Sequence, residues 1–282
     1  MLALIDADIL LYQLGALSND EGHPLAWNLV HMRVDERIYY IMNEAGCDEY
    51  KLFLTGSNNF RIKEATILPY KGSRPTEKPY WHGKIKDYFM TSTKHKDTVV
   101  FSDDYEADDA MSMALYADYN LHKDYHLTSY DSTLTSEEYY ELNATTVLCS
   151  IDKDLDMCPG KHGKWFKNKK GELDFKLYTV TQEEGTWWFY RQLLTGDMTD
   201  NIPGLFMVGE VAAKNALKGV TDELGLYTIV QKKYEQRFGS YWKMFMHENA
   251  RLLWMLETED DDIRVRLNEL EGERLAHKDE VF

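Results

Sequence analysis

The sequence predicts an α/β protein: a mainly parallel β-sheet flanked by helices, followed by a helical C-terminal region. Two observations carry that expectation. Short apolar runs alternate with segments of helical spacing, and acidic residues follow several of those runs directly. The composition agrees, with 44% hydrophobic and 28% charged residues over 282 positions. A core domain is expected over residues 1–180 and a helical region over 181–282.

Leu2-Ala3-Leu4-Ile5 is an apolar run ended by Asp6-Ala7-Asp8 and reads as a buried strand. Trp27 to Met42 carries apolar residues three and four apart, a helix. Lys51-Leu52-Phe53-Leu54 is a second strand, broken by Gly56-Ser57-Asn58-Asn59. Tyr70 to Pro75 is a loop, Tyr80 to Met90 a helix, and Val99-Val100-Phe101 a third strand. A helix follows from Asp108 to Tyr119, with Glu106 near its first turn. Leu121 to Asn143 is polar, aromatic and non-periodic, and is read as an insertion whose conformation the sequence leaves open. Thr146 to Ile151 is a fourth strand with acids immediately after it. Gly160 to Gly171, rich in Lys and Gly, is expected to be an exposed hairpin or loop. Trp187 to Leu194 and Val208 to Leu217 read as helices, and the tail from Asn249 as helical and then charged.

Cys47, Cys149 and Cys158 are an odd number without metal-type spacing, which suits a reducing cytoplasm. No run has the apolar length of a membrane span, and the N-terminus lacks a signal-peptide pattern, so no membrane partner is expected. The net charge of −16 opposes a uniformly cationic nucleic-acid surface, but local charge decides binding.

Four acidic groups fall at strand ends or helix starts: Asp6 and Asp8; Glu106, Asp108 and Asp109; Asp152 and Asp154; Asp197 and Asp200. In open parallel sheets, ligands bind beyond the carboxyl ends of the strands. Clustered carboxylates repel one another, and a divalent cation removes that penalty. All-oxygen ligands without His or Cys favour Mg²⁺ or Mn²⁺ over Zn²⁺. Two such ions about 4 Å apart can activate water for in-line attack at phosphorus. Taken singly, each group has an ordinary alternative: a helix cap for Asp6-x-Asp8, dipole-complementing acids for Glu106 to Asp109, a turn for Asp152-x-Asp154. The force of the reading lies in the set.

Gly196-Asp197-Met198-Thr199-Asp200-Asn201-Ile202-Pro203-Gly204 leads through Val208-Gly209-Glu210 to Lys214. A glycine-turned loop entering a helix suits a DNA phosphate, against the alternative of a plain capped connection. Lys71 and Arg74 lie on a Gly-containing loop that can place positive charge on a phosphate; a solvated charged loop is the alternative. Lys161, Lys164, Lys167, Lys169 and Lys170, with Trp165 and Phe166 among them, offer a nucleic-acid surface or simply a charged hairpin. Trp187 and Trp188 fit a core.

At these residues the chain resembles the flap endonuclease-like 5′→3′ exonucleases, especially their bacteriophage branch. The resemblance rests on Glu106-Ala107-Asp108-Asp109, Ser150-Ile151-Asp152-Lys153-Asp154 and Gly196 to Gly204. Asp6, Phe60-Arg61 and Tyr70-Lys71-Gly72-Ser73-Arg74 support it. It implies a PIN-like core with a helix–two-turn–helix module gripping duplex DNA through Gly204, Gly209 and Lys214. It implies one Mg²⁺ at Asp6, Glu106 and Asp108, and a second served by Asp109, Asp152, Asp154, Asp197 and Asp200, with Mn²⁺ as a substitute. K⁺ at the duplex module is also implied, as are Lys71 and Arg74 as catalytic cations. The implied substrates are DNA with 5′ ends or flaps, and RNA primers or RNA–DNA hybrids in some members. A monomer in the cytoplasm, the host's if phage-encoded, is expected.

Two departures qualify this. The family's aspartate after the second strand is replaced within Thr55-Gly56-Ser57 by Gly56, for which Asp8 is a candidate substitute; weakened activity or altered metal preference would follow. The short stretch from Arg74 to Tyr80 implies a small or open arch. Two rivals therefore stand beside the nuclease: a DNA-binding homologue without turnover, and a small PIN-type ribonuclease, which would not need the Gly196–Lys214 module.

Overall fold

The computed structural model describes residues 1–74, 76–128 and 134–279. In chain order its elements are β1 (Leu2–Asp6), α1 (Ala7–Gly15), α2 (Trp27–Glu44), β2 (Glu49–Thr55), α3 (Phe60–Glu64), α4 (His82–Thr91), β3 (Val99–Ser102), α5 (Ala107–Thr128), α6 (Ser136–Asn143) and β4 (Thr146–Cys149). There follow β5 (Gly160–Lys167), β6 (Leu173–Val180), α7 (Gln182–Thr195), β7 (Gly196–Asp197), β8 (Ile202–Pro203), α8 (Glu210–Ala216), α9 (Glu223–Phe238), α10 (Trp242–Leu253) and α11 (Ile263–Asp279).

The chain forms two compact units, Met1–Asn58 with Pro75–Thr181, and Asn59–Arg74 with Gln182–Phe282. The first holds a six-stranded sheet in the order β3-β2-β1-β4-β5-β6, parallel from β3 to β5, with β6 antiparallel at one edge. The expected α/β class with a mostly parallel, helix-flanked sheet is therefore observed. Pleating sorts the strand side chains. Ala3, Ile5, Leu52, Leu54, Val147 and Cys149 join one core with α1, α2 and α4. Leu4, Phe53 and Leu148, the intervening buried residues, face the other way, and α5 packs on β1 to β5. Helix α2 commits one stripe to that core, Val30, Val34, Ile38 and Ile41.

Two local expectations are refined. The stretch 121–143 is largely helical: α5 runs on to Thr128, and α6 begins at a capping box between Thr135 and Glu138. Residues 129–133 of that stretch lie outside the described residues. Gly160–Gly171 is a hairpin arm, but not a wholly exposed one. His162 and Trp165 of β5 are buried on opposite faces of the strand: Trp165 joins the core with α1 and α2, and His162 stacks on Tyr178. Gly163 is required where it stands, since a Cβ there would meet the Phe175 ring at 2.4 Å.

In the second unit α7, α9 and α10 pack around a buried polar node. The Tyr234 hydroxyl donates to the Leu193 carbonyl at 2.7 Å, and Asn249 Nδ2 donates to the Pro203 carbonyl at 2.6 Å. Residues 59–74, read with the core from the sequence, cluster here. Arg61 is buried, and its guanidinium donates to the carbonyls of Leu252 at 2.9 Å and Trp254 at 2.6 Å. Among the described residues no helix is long and apolar enough to cross a membrane. All three cysteines are free thiols, each buried.

Candidate active site

Asp6, Asp8, Glu106, Asp108, Asp109, Asp152 and Asp154 lie in the first unit, at the carboxyl ends of β1 and β4 and the start of α5. Asp6 ends β1 and caps α1: one carboxylate oxygen accepts from the Ile9 N–H at 3.1 Å. The other accepts from the Ser150 hydroxyl at 2.8 Å. Ser150 Oγ in turn accepts from the Asp152 N–H at 3.0 Å, and Asp152 Oδ1 from the Asp154 N–H at 2.9 Å. A chain of hydrogen bonds thus joins the ends of β1 and β4. Parallel pairing of Ile5 with Cys149 places Asp6 and Ser150 side by side at the strand ends.

A second chain joins β2 to α5. Asp8 accepts from the Thr55 N–H at 3.0 Å, and the Thr55 hydroxyl accepts from the Ala107 N–H at 2.9 Å. Lys86 from α4 donates to the Thr55 carbonyl at 3.0 Å. At the head of α5, Asp109 Oδ2 accepts from the Glu106 N–H at 3.1 Å, and both residues are buried. The cap and the cluster are therefore the same atoms, so the ordinary and the functional readings of these acids do not exclude each other. Ser150, Thr55 and Lys86 carried no role in the sequence reading; only their position beside the acids signals one.

Charge is concentrated here. Burial, reinforced by the neighbouring charges of Asp8 and Asp152, raises the Asp6 carboxyl from 3.8 to about 7 against the lowering effect of its two hydrogen bonds. Among the described residues, no three His, Cys, Asp or Glu side chains form a group already arranged to hold a metal ion. The donor chemistry and the repulsion felt by Asp6 fit a hard divalent cation.

Gly56 takes its meaning from Asp103. A Cβ on Gly56 would stand 2.3 Å from Asp103 Oδ1 and 2.8 Å from both Asp103 Cα and the Ser102 carbonyl oxygen. Asp103 also accepts from the N–H groups of Ser57 at 2.9 Å and Asn58 at 3.3 Å, which hold its carboxyl below the usual range. A side chain at position 56 and the present course of the β3–α5 loop exclude each other.

Asp197 and Asp200 lie in the second unit with Lys71 and Arg74. Asp200 accepts from the Tyr70 hydroxyl at 2.8 Å, pairs with Arg74, and stands 3.7 Å from Lys71 Nζ. The Lys71 N–H donates to the Asp200 carbonyl at 2.8 Å, from a left-handed backbone at φ +54°. Asp197 is buried and accepts from the Thr199 N–H at 2.7 Å. The two expected cations and one expected metal ligand thus form an ion-paired cluster. Gly204 is locked against α7, where a Cβ would stand 2.1 Å from the Thr195 carbonyl carbon. Gly209 precedes α8, which carries Lys214. Of the basic hairpin, Lys164 is bound at 2.9 Å to Asp156, while Trp165 is buried and donates to Gln13 at 3.0 Å. Trp188 lies beneath Arg191 at 3.8 Å.

The fold is shared with solved 5′-exonuclease and flap endonuclease structures. Solved structures of bacteriophage T5 proteins are among those it resembles. The T5 D15 protein co-crystallised with metal ions matches with a TM-score of 0.55 at 15% identity, over 98% of this chain and 96% of that one. A substituted form of the T5 D15 flap endonuclease, in a pseudo-enzyme–product complex with DNA and metal ions, matches with a TM-score of 0.58 at 16% identity, over 95% and 91%. The zinc-bound T5 5′-exonuclease matches with a TM-score of 0.56 at 17% identity, over 95% and 92%. The sequence matches no protein-family model and no curated protein.

Proposed function

We propose that the protein hydrolyses phosphodiester bonds in DNA as a divalent-metal-dependent 5′→3′ exonuclease with flap endonuclease activity. The observation that carries this reading is the run of linked acids from Asp6 through Ser150 to Asp152 and Asp154, at the carboxyl edge of a fold shared with 5′-exonucleases. Asp6, Glu106, Asp108, Asp109, Asp152 and Asp154 of the first unit would hold Mg²⁺ or Mn²⁺. When bound, the metal supplies Lewis-acid activation of water and charge neutralisation at phosphorus.

The chain's own groups do the rest. Ser150 and the Ile9 N–H fix the Asp6 carboxylate, so its orientation is set before a ligand arrives. Lys71 and Arg74 exchange Asp200 for a phosphate, a move between equivalent anions that needs no unpaired intermediate. Gly204, Gly209 and Lys214 position the duplex, with K⁺ at the same module. RNA–DNA hybrids are a second substrate class. The protein works as a monomer in the cytoplasm.

A duplex with a 5′ flap, labelled at either end and incubated with Mg²⁺, Mn²⁺ or EDTA, tests the reading. Short 5′ products with metal and none with EDTA are expected, and D152A/D154A should bind the flap without cutting it. Full cleavage by that double variant would remove the metal assignment. The glycine at position 56, closed in by Asp103, favours one alternative, a DNA-binding homologue without turnover. Intact DNA in every lane with a retained gel shift would establish it.

A further inference from the structure

The turn that leads from β8 into α8 departs from what folding alone would select. The Leu205 carbonyl accepts from the Val208 N–H at 3.0 Å, closing a β-turn with Phe206 and Met207 at its centre. Met207 stands at φ +62° and Phe206 does not share that positive φ. This is the sign pattern of a type II turn, whose second central residue is ordinarily glycine. A methionine there strains the backbone, and such strain persists where the surroundings impose it or function uses it.

Packing does not repay the strain. Met207 is 84% exposed, Phe206 73%, and Val211, in the first turn of α8, 74%. The base of the turn is rigid by contrast. Leu205 is buried, and its N–H donates to the Leu194 carbonyl at 2.9 Å. Large apolar side chains are thus held out into solvent on a fixed mount, an arrangement that marks a contact surface.

The charges around the tip identify the partner. The Arg237 guanidinium lies 5.6 Å from the Phe206 ring centroid. Lys214 is exposed one helical turn beyond Val211, and Lys218 is exposed just past α8. The single carboxylate between residues 204 and 218, Glu210, is already paired with Arg191. An apolar point bordered by cations is complementary to a duplex groove, where sugars and base edges lie between two rows of phosphates.

We propose that Phe206 and Met207 form an apolar wedge that enters the minor groove of a DNA duplex, with Arg237 and Lys214 on the flanking phosphates. This rests on the DNA-directed reading above and adds the contact that holds the duplex. The test is binding of the full chain to a fluorescein-labelled hairpin duplex in EDTA, which separates binding from cleavage, across a salt series. M207G is expected to bind on the order of tenfold more weakly, the effect of losing one apolar side chain buried on binding. Its dependence of log K on log salt should match that of the wild type, and its melting temperature should be no lower. R237Q should weaken binding and reduce that salt slope by about 1. Wild-type affinity in both M207G and F206A, on a duplex that the wild type does bind, would overturn the wedge and leave the DNA reading standing. Failure of the wild type to bind any duplex would overturn both.

Discussion

Replacing Asp6 by Asn separates the electrostatic cost of the acidic site from its function. Asp6 is 2% exposed, and its carboxyl is raised from 3.8 to about 7 by burial and by the charges of Asp8 and Asp152. A folded-state value above the unfolded one means that folding is favoured by the protonated form. That stability is fully present below about 3.8 and is lost as pH rises through about 7. At about 1.4 kcal/mol for each tenfold change in proton affinity, the metal-free protein carries a penalty on the order of 4 kcal/mol at pH 8. Asn removes the charge and keeps an acceptor for the Ile9 N–H, but the Ser150 hydroxyl must find another acceptor, which costs about 1–2 kcal/mol. A net gain of about 2 kcal/mol should raise the melting temperature by roughly 4–8 °C. Differential scanning calorimetry in EDTA at pH 8 and pH 5 reads this, with the gain largest at pH 8. In Mg²⁺ the wild type should gain stability and D6N should gain little. A D6N protein less stable than the wild type at pH 8 in EDTA, or equally stabilised at both pH values, would refute the reasoning.

Other consequences follow from particular contacts. Restoring a carboxylate with G56D should destabilise the first unit by about 2 kcal/mol or more and fail to raise cleavage. Adding D103G should recover only part of that loss in urea unfolding, because it removes the Asp103 carboxylate but leaves Asp103 Cα and the Ser102 carbonyl oxygen 2.8 Å from the new Cβ. Burial lowers His162 to about 4, so its contribution is complete above about 6.5 and is lost as pH falls towards 4. Urea unfolding between pH 7 and pH 4.5 should show H162Q with a flatter acid limb than the wild type, by up to about 3 kcal/mol. R61M should destabilise by about 3 kcal/mol, since the Leu252 and Trp254 carbonyls lose buried donors; a change below 1 kcal/mol would remove Arg61 as a clamp. M207G should stabilise by about 1 kcal/mol through relief of the positive φ, read as a rise in melting temperature.

The sequence by itself determined the elements whose signals are local. Leu2 to Ile5 is apolar enough to be a central strand, and acids directly after it and after Cys149 must emerge at one edge once the strands run parallel. Trp27 to Met42 shows its stripe without help. Where Lys and Gly suggested an exposed hairpin or loop at 160–171, both faces of β5 are partly covered, Trp165 by the core and His162 by Tyr178, and lysines spaced three apart give no period-two signal of it. Only the tertiary structure decided matters that depend on residues far apart in the chain. Arg61 ties residues 59–74 to carbonyls some 190 positions away, and no local pattern reports that. Gly56 reads as a missing aspartate until Asp103 is found in the space its side chain would need. That Tyr70, Lys71 and Arg74 gather around Asp200 is likewise not written in any local pattern. Periodicity and strand-end chemistry are written along the chain, whereas exclusion and charge pairing exist only between segments that folding brings together.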